Sequence, residues 1–189
     1  MLIDRMSVLG LWQRAQIREA HVAELKVIAS TLLRYKSILY DQVQAATGIP
    51  WYVVGAIDCR EESFRHTCYL GNGDPLYRKT THVPAGRGPF DSWYEGAIDA
   101  LKARGFDRLP TGGHWDIVTA LMKTDAWNGL AYDHMGLPSP YVWALTTVQQ
   151  PGKYVADHVF DPNYMDTQAG TAAILLALKE FHQVDLNEA

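Results

Sequence analysis

The segment Ile57-Asp58-Cys59-Arg60-Glu61-Glu62-Ser63-Phe64 closes an apolar run that opens at Pro50 and sets a carboxylate at the end of a helix. Val54, Ile57 and Glu61 fall at the i, i+3, i+7 spacing of one helical face. A glutamate at the margin of an apolar face loses hydration, which raises its pKa and lets it hold a proton near neutral pH. Glu61 is therefore the candidate general acid. Glu62 projects about 100° further round, on the side of Asp58, and is expected to be the more solvated of the two. A bridge from Glu61 to Arg65 at i+4 is the competing reading, and it would remove the acid role.

Cleavage of a glycosidic bond usually takes two carboxyl groups, one as acid and one as base or nucleophile. Asp74 is the candidate partner, in the turn cluster Gly71-Asn72-Gly73-Asp74-Pro75 that follows the helix. Thr80, six residues on, or Thr81 is placed to hold a water or a substrate group. An Asp before Pro is also an ordinary turn residue. His66, Asp74 and His82 recur at even spacing and offer ligand types suited to zinc, although no HExxH motif accompanies them.

The elements that must hold these residues are mostly helical. Val22, Leu25, Ala29, Leu32 and Leu33 trace a face of period 3.6, and Gly48 with Pro50 punctuates its exit. Pro50 suits the first turn of the next helix, which runs to about Ser63 or Phe64. Tyr77 to Val83, rich in Thr and Tyr between turn clusters, carries the strand or hairpin signal. Ser92-Trp93-Tyr94-Glu95 resembles a capping box, opening a helix that ends near Gly105. A further helix is expected from about His114 toward Trp127, then a loop-rich stretch from Pro138 to Pro162. A last helix is expected over about Asp166 to Phe181. The expected fold class is mainly α with a small β-hairpin after the Glu61 helix.

At 189 residues the chain suits one domain with a sizeable core. The net charge of −4 gives no general attraction to nucleic acid or anionic lipid. Two cysteines, Cys59 and Cys68, argue against a disulfide-rich scaffold; one bridge between them is conceivable, but Cys59 falls mid-helix, and free thiols are the expectation. No apolar run approaches the roughly 20 residues needed to cross a bilayer, and Met1 to Gln16 lacks the pattern of a signal peptide.

Ala56-Ile57, followed by Glu61 and Phe64, resembles the acid-bearing segment of goose-type lysozymes and lytic transglycosylases, with Glu62 where that segment usually has Ser. Glu61, Asp74 and Thr80 also look like the Glu/Asp/Thr arrangement of phage lysozymes. Ile49-Pro50-Trp51-Tyr52-Val53-Val54, Asn72-Gly73-Asp74-Pro75-Leu76, His82-Val83-Pro84-Ala85-Gly86-Arg87 and Gly152-Lys153-Tyr154-Val155-Ala156-Asp157 resemble blocks of phage-type endolysins with a lysozyme-like fold. That family commonly shows His where this chain has Asp58. The resemblance covers about Ile49 to Leu178.

Trp127-Asn128-Gly129 looks like the Tyr-Asn-Gly block of the same families, whose aromatic and Asn line the sugar cleft. The resemblance thereby implies Trp127 and Asn128 as sugar contacts, with Tyr132, Tyr141 and Trp143 as stacking surfaces. It implies one lysozyme-like catalytic domain over residues 1–189, with 1–48 as a helical extension packed on it. The implied substrate is peptidoglycan, cut by hydrolysis at the β-1,4 bond between N-acetylmuramic acid and N-acetylglucosamine, with no cofactor and no metal. The implied protein is a monomer made in the cytoplasm that reaches the wall once the membrane is opened. Lytic transglycosylation to a 1,6-anhydro product, a zinc-dependent wall peptidase or amidase, and a non-catalytic wall-binding module are the alternatives.

Overall fold

Pro50 and a run of ten buried residues set the central helix of the chain. The computed structural model describes residues 4–109, 113–156 and 158–188. Its helices are α1 (Arg5–Arg14), α2 (Val22–Tyr35), α3 (Asp41–Thr47), α4 (Trp51–Glu62), α5 (Trp93–Ala103), α6 (Ile117–Asn128), α7 (Ala131–Met135), α8 (Pro140–Trp143) and α9 (Thr171–His182). A π-helical turn, Lys36–Tyr40, joins α2 to α3. Strands β1 (Lys153–Ala156) and β2 (Val159–Asp161) form an antiparallel pair. The chain is thus mainly helical with one small hairpin among the described residues, the class the sequence predicts. No helix there is long and apolar enough to cross a membrane.

The position of the hairpin differs from the expectation. Residues 77–83 make turns and bends, and nearby only an isolated bridge between Cys68 and Pro75 shows β pairing. Tyr77 and Val83 are 74 % and 88 % exposed, so their β-propensity finds no surface to pack on. The strands form instead within the stretch expected to be loop, where Lys153 pairs with Asp161 and Tyr154 with Phe160.

The contacts divide into two compact units, and the division falls within α2. Unit 1 takes the chain up to Thr31 and from Trp115 onward. Here α6 packs on α1, α8 and α9, burying Ile117, Leu121, Ile174, Leu175 and Leu178. Asp116 caps α6 by accepting from the Thr119 amide at 2.6 Å. Residues 1–48 are therefore shared between the units.

Unit 2 runs from Leu32 to His114 and holds α4. The α4 helix contacts the π-helical turn and α3, and α3 contacts α5. Gly55 permits the close approach, since a Cβ there would lie 2.9 Å from Leu32 Cδ2 and 3.0 Å from Tyr40 Cε2. Ser92 caps α5 as predicted, accepting from the Glu95 amide at 3.3 Å. The Glu95 carboxylate reaches back one residue further, to the Asp91 amide at 3.0 Å. Cys59 and Cys68 are free thiols.

Candidate active site

The last turn of α4 separates two adjacent carboxyl groups. Every residue from Trp51 to Arg60 is buried, so this helix has no solvated stripe. Glu61 is exposed and Glu62 is 2 % exposed. The expected assignment of the two is reversed. Val54 and Ile57 are fully buried, but burial of their face does not continue to Glu61. The Asp58 side is the covered one, because Tyr40, His66 and Trp93 stand over it.

Asp58 is the centre of that cover. It is 0 % exposed, and its Oδ2 accepts the Tyr40 hydroxyl at 2.6 Å. His66 Nε2 stands 2.6 Å from the same oxygen. The imidazole lies edge-on between Tyr35 and Trp93, with ring centroids 4.5 and 4.9 Å away. His66 is brought there by a tight turn, since Ser63, Phe64 and His66 all have φ between 51° and 64°. Non-glycine residues in this region cost on the order of 1 kcal/mol each, and such outliers gather at functional sites.

Glu62 lies one turn beyond Asp58, on the same side of α4. Burial first, then the Asp58 charge, push its pKa up to about 7, against the opposing pull of Arg65. Neither carboxyl oxygen of Glu62 has a hydrogen-bond partner, and neither does Asp58 Oδ1. The Trp93 indole faces Glu62, but its N–H falls short of a hydrogen bond. A buried carboxyl with so little polar company retains its proton, since the neutral form costs far less to bury. The helix end thus presents an exposed carboxyl backed by an inner one that holds a proton near neutral pH.

Asp74 is 6 % exposed and its oxygens are occupied within its own loop. Oδ2 accepts from the amides of Thr81 at 2.6 Å and His82 at 2.9 Å, and Oδ1 lies 2.6 Å from His82 Nδ1. The hydrogen bonds from His82, backbone and ring, hold its pKa down at about 2. Thr80 is also committed: its hydroxyl donates to the Pro84 carbonyl at 2.6 Å and accepts from the Arg87 amide at 3.0 Å. Both residues organise the loop between α4 and α5. Arg87 in turn binds Asp99 on α5, which also accepts from the Tyr69 hydroxyl at 2.8 Å.

The candidate sugar contacts belong to unit 1. Trp127, Tyr132, Tyr141 and Trp143 are between 2 % and 4 % exposed, which leaves no ring face for a sugar. The expectation that they stack on substrate is corrected: they are core. Tyr132 also fixes β1 through its hydroxyl, which accepts from the Tyr154 amide at 3.0 Å. Asn128 is exposed at the end of α6. His66 and His82 are bonded to different aspartates, and no group of three or more His, Cys, Asp or Glu among the described residues could hold a metal ion. A cavity of about 520 Å³ in unit 1, lined by Trp12, Ile117, Leu176 and Lys179, contains none of the predicted site residues.

The residues that sequence reasoning missed are Asp58, His66, Tyr40 and Glu62 as a set. Asp58 and Glu62 at i, i+4 in a helix otherwise lacking a polar stripe was the available signal. No protein-family model matches the chain, and neither a curated protein nor a solved structure matches it.

Proposed function

We propose that this protein cleaves the β-1,4 bond between N-acetylmuramic acid and N-acetylglucosamine in peptidoglycan, with Glu61 as the general acid. The observation that carries this reading is the placement of Glu61: an exposed carboxyl on the last turn of a helix whose preceding ten residues are all buried. A rigid support of that kind holds a proton donor in one place against a bound chain. A glycan strand laid over the carboxyl would displace its water, and loss of water favours the protonated form an acid needs. The resemblance of the Ala56 to Phe64 segment to the acid-bearing segment of lytic enzymes supports the same residue.

A second reading concerns the product. An inverting hydrolase needs a second carboxylate free to activate water, and the oxygens of Asp74 are engaged by Thr81 and His82. This favours attack by the muramic 6-hydroxyl and a 1,6-anhydro end, the transglycosylase outcome. A zinc peptidase is disfavoured by the separation of His66 and His82 onto different aspartates.

The test is release of soluble muropeptides from purified sacculi by the wild type and by Glu61→Gln, with mass spectrometry of the products. Wild type should release fragments lighter by one water than the hydrolysed form, and Glu61→Gln should lose at least about a hundredfold in rate, the lower range for a positioned acid. Undiminished release by a folded Glu61→Gln would overturn the assignment. Wild type that binds sacculi and releases nothing would identify a binding module instead.

A further inference from the structure

The cavity of about 520 Å³ in unit 1 takes no part in the reading of Glu61. Leu9 and Trp12 of α1, Ile117 of α6 and Leu176 of α9 give it apolar wall, and Lys179 and Glu188 give it a charged side. One carboxylate already stands there. Glu188 Oε1 accepts the Trp12 indole N–H at 2.8 Å and the Lys179 ammonium at 2.9 Å, and its Oε2 accepts the same ammonium at 2.7 Å. The ammonium also lies 5.9 Å from the centre of the Trp12 ring. A neutral donor and a cation thus converge on one carboxyl group beside apolar wall. Small-molecule sites have this make-up, apolar lining with a few placed polar groups.

The acceptor is required, but Glu188 is not the only group able to supply it. Trp12 is buried, and a buried indole N–H needs an acceptor whatever its source. The Glu188 side chain is 34 % exposed and that of Lys179 46 %, and an ion pair so open to water contributes little. The chain is fastened just before Glu188: Leu186 is buried, and the Asn187 side chain donates to the Trp115 carbonyl at 3.4 Å. Glu188 can therefore swing out while the segment before it stays docked. Its two methylene groups cover less apolar wall than a longer chain would. A carboxylate on such a chain repeats both polar contacts and adds apolar burial.

We propose that this cavity binds an aliphatic monocarboxylate, the chemistry of a medium-chain fatty acid, and that Glu188 is the internal competitor it displaces. Lys179 neutralises the ligand carboxylate, the Trp12 indole donates to it, and Leu9, Ile117 and Leu176 cover the chain. Glu180 also lines the cavity, and its charge repels a second carboxylate, so a diacid of the same length is discriminated against. The site does not depend on what Glu61 does.

The full chain, labelled with ¹⁵N, is titrated with octanoate while the indole N–H resonances are followed. Octanoate should shift the Trp12 resonance. Octanol, the same chain without the carboxylate, and octanedioate, with a second one, should each bind at least about tenfold more weakly, the factor that about 1.4 kcal/mol gives. Glu188→Ala should bind octanoate about tenfold more tightly than wild type, as expected of a site that its own carboxylate closes about nine-tenths of the time. Lys179→Met should lose the binding. If Glu188→Ala fails to fold, the three ligands compared on wild type still decide. No shift of Trp12 in either wild type or Glu188→Ala would overturn the site. Octanol binding as well as octanoate would overturn carboxylate recognition, and an unchanged affinity in Glu188→Ala would overturn the displacement.

Discussion

Asp58 and His66 stand 2.6 Å apart across the turn that ends α4, and the Tyr40 hydroxyl donates to the same Asp58 oxygen from the π-helical segment. One buried oxygen therefore fastens three segments of unit 2 directly behind the exposed Glu61. Burial and Asp58 also push the Tyr40 pKa up, so its hydroxyl stays a donor. The fastening follows from types the sequence displays, an aspartate in an apolar helix and an aromatic and a histidine on either side of it.

Tyr40→Phe removes that donor and leaves Asp58, already lacking a partner at Oδ1, with the imidazole alone. A buried acceptor deprived of one hydrogen bond costs about 1–3 kcal/mol, so the urea midpoint should fall. Asp58→Asn disturbs both contacts and should cost at least as much. Equal midpoints for wild type and both variants would show that the cluster contributes nothing to stability.

Glu62 gives stability a pH dependence of definite sign. Its pKa is about 7 when folded, against an ordinary value of 4.5. Below about pH 4.5 both states are protonated and there is no penalty. Between about 4.5 and 7 the unfolded chain releases its proton while the native state retains it, so stability falls as pH rises, and above 7 the loss is complete. The full effect is about 3 kcal/mol. Glu62→Gln, isosteric and always neutral, should gain on wild type across this window. Burial raises the Asp125 pKa to about 7 as well and adds a slope of the same sign, so the quantity to measure is the difference between the two proteins in urea midpoint at pH 5 and pH 8. A constant difference would contradict a protonated Glu62.

Asp74 acts in the opposite direction. Its folded pKa is about 2 and its ordinary value 3.8, so its contribution is present above about 3.8 and is lost as pH falls through 2. Asp74→Asn keeps the side-chain volume but weakens the acceptance of the Thr81 and His82 amides. The loop should open more often, and its exposed Arg78 and Lys79 give trypsin a place to report this. Faster nicking after these residues in Asp74→Asn is the expected outcome, and unchanged nicking would show that the carboxylate does not order the loop.

What could be read in advance was whatever local chemistry decides. Pro50 and Ser92 stand next to real helix starts, and the face predicted for α2 holds at Leu25, Ala29 and Leu32, all fully buried. The choice between Glu61 and Glu62 was not local. A helical wheel orders the two side chains around α4, but which direction is covered depends on Tyr40 and Trp93, far away in the chain. The hairpin escaped for a related reason: β1 is largely exposed along its length, so it lacks the alternation that marks a half-buried strand. The same holds for Tyr132 and Trp143, whose aromatic character suits a sugar face and a core equally, so that packing alone assigns them to the core.

Gly170 offers a test of unit 1 independent of any site. It precedes α9, and a Cβ there would lie 2.4 Å from the Val142 carbonyl oxygen and 2.7 Å from the Ala144 amide nitrogen. These are backbone atoms, and no rotamer change relieves the clash, so α9 must move away from α8. The Gly170 amide bonded to the Ala144 carbonyl at 3.2 Å would move with it. Its φ of −73° is open to any residue, so the cost is purely one of space. Gly170→Ala should destabilise by about 2–3 kcal/mol, the upper range for overpacking, whereas an alanine at a solvated helical position changes little. A Gly170→Ala protein with an unchanged melting temperature would mean that α8 and α9 do not approach as closely as their backbones do here.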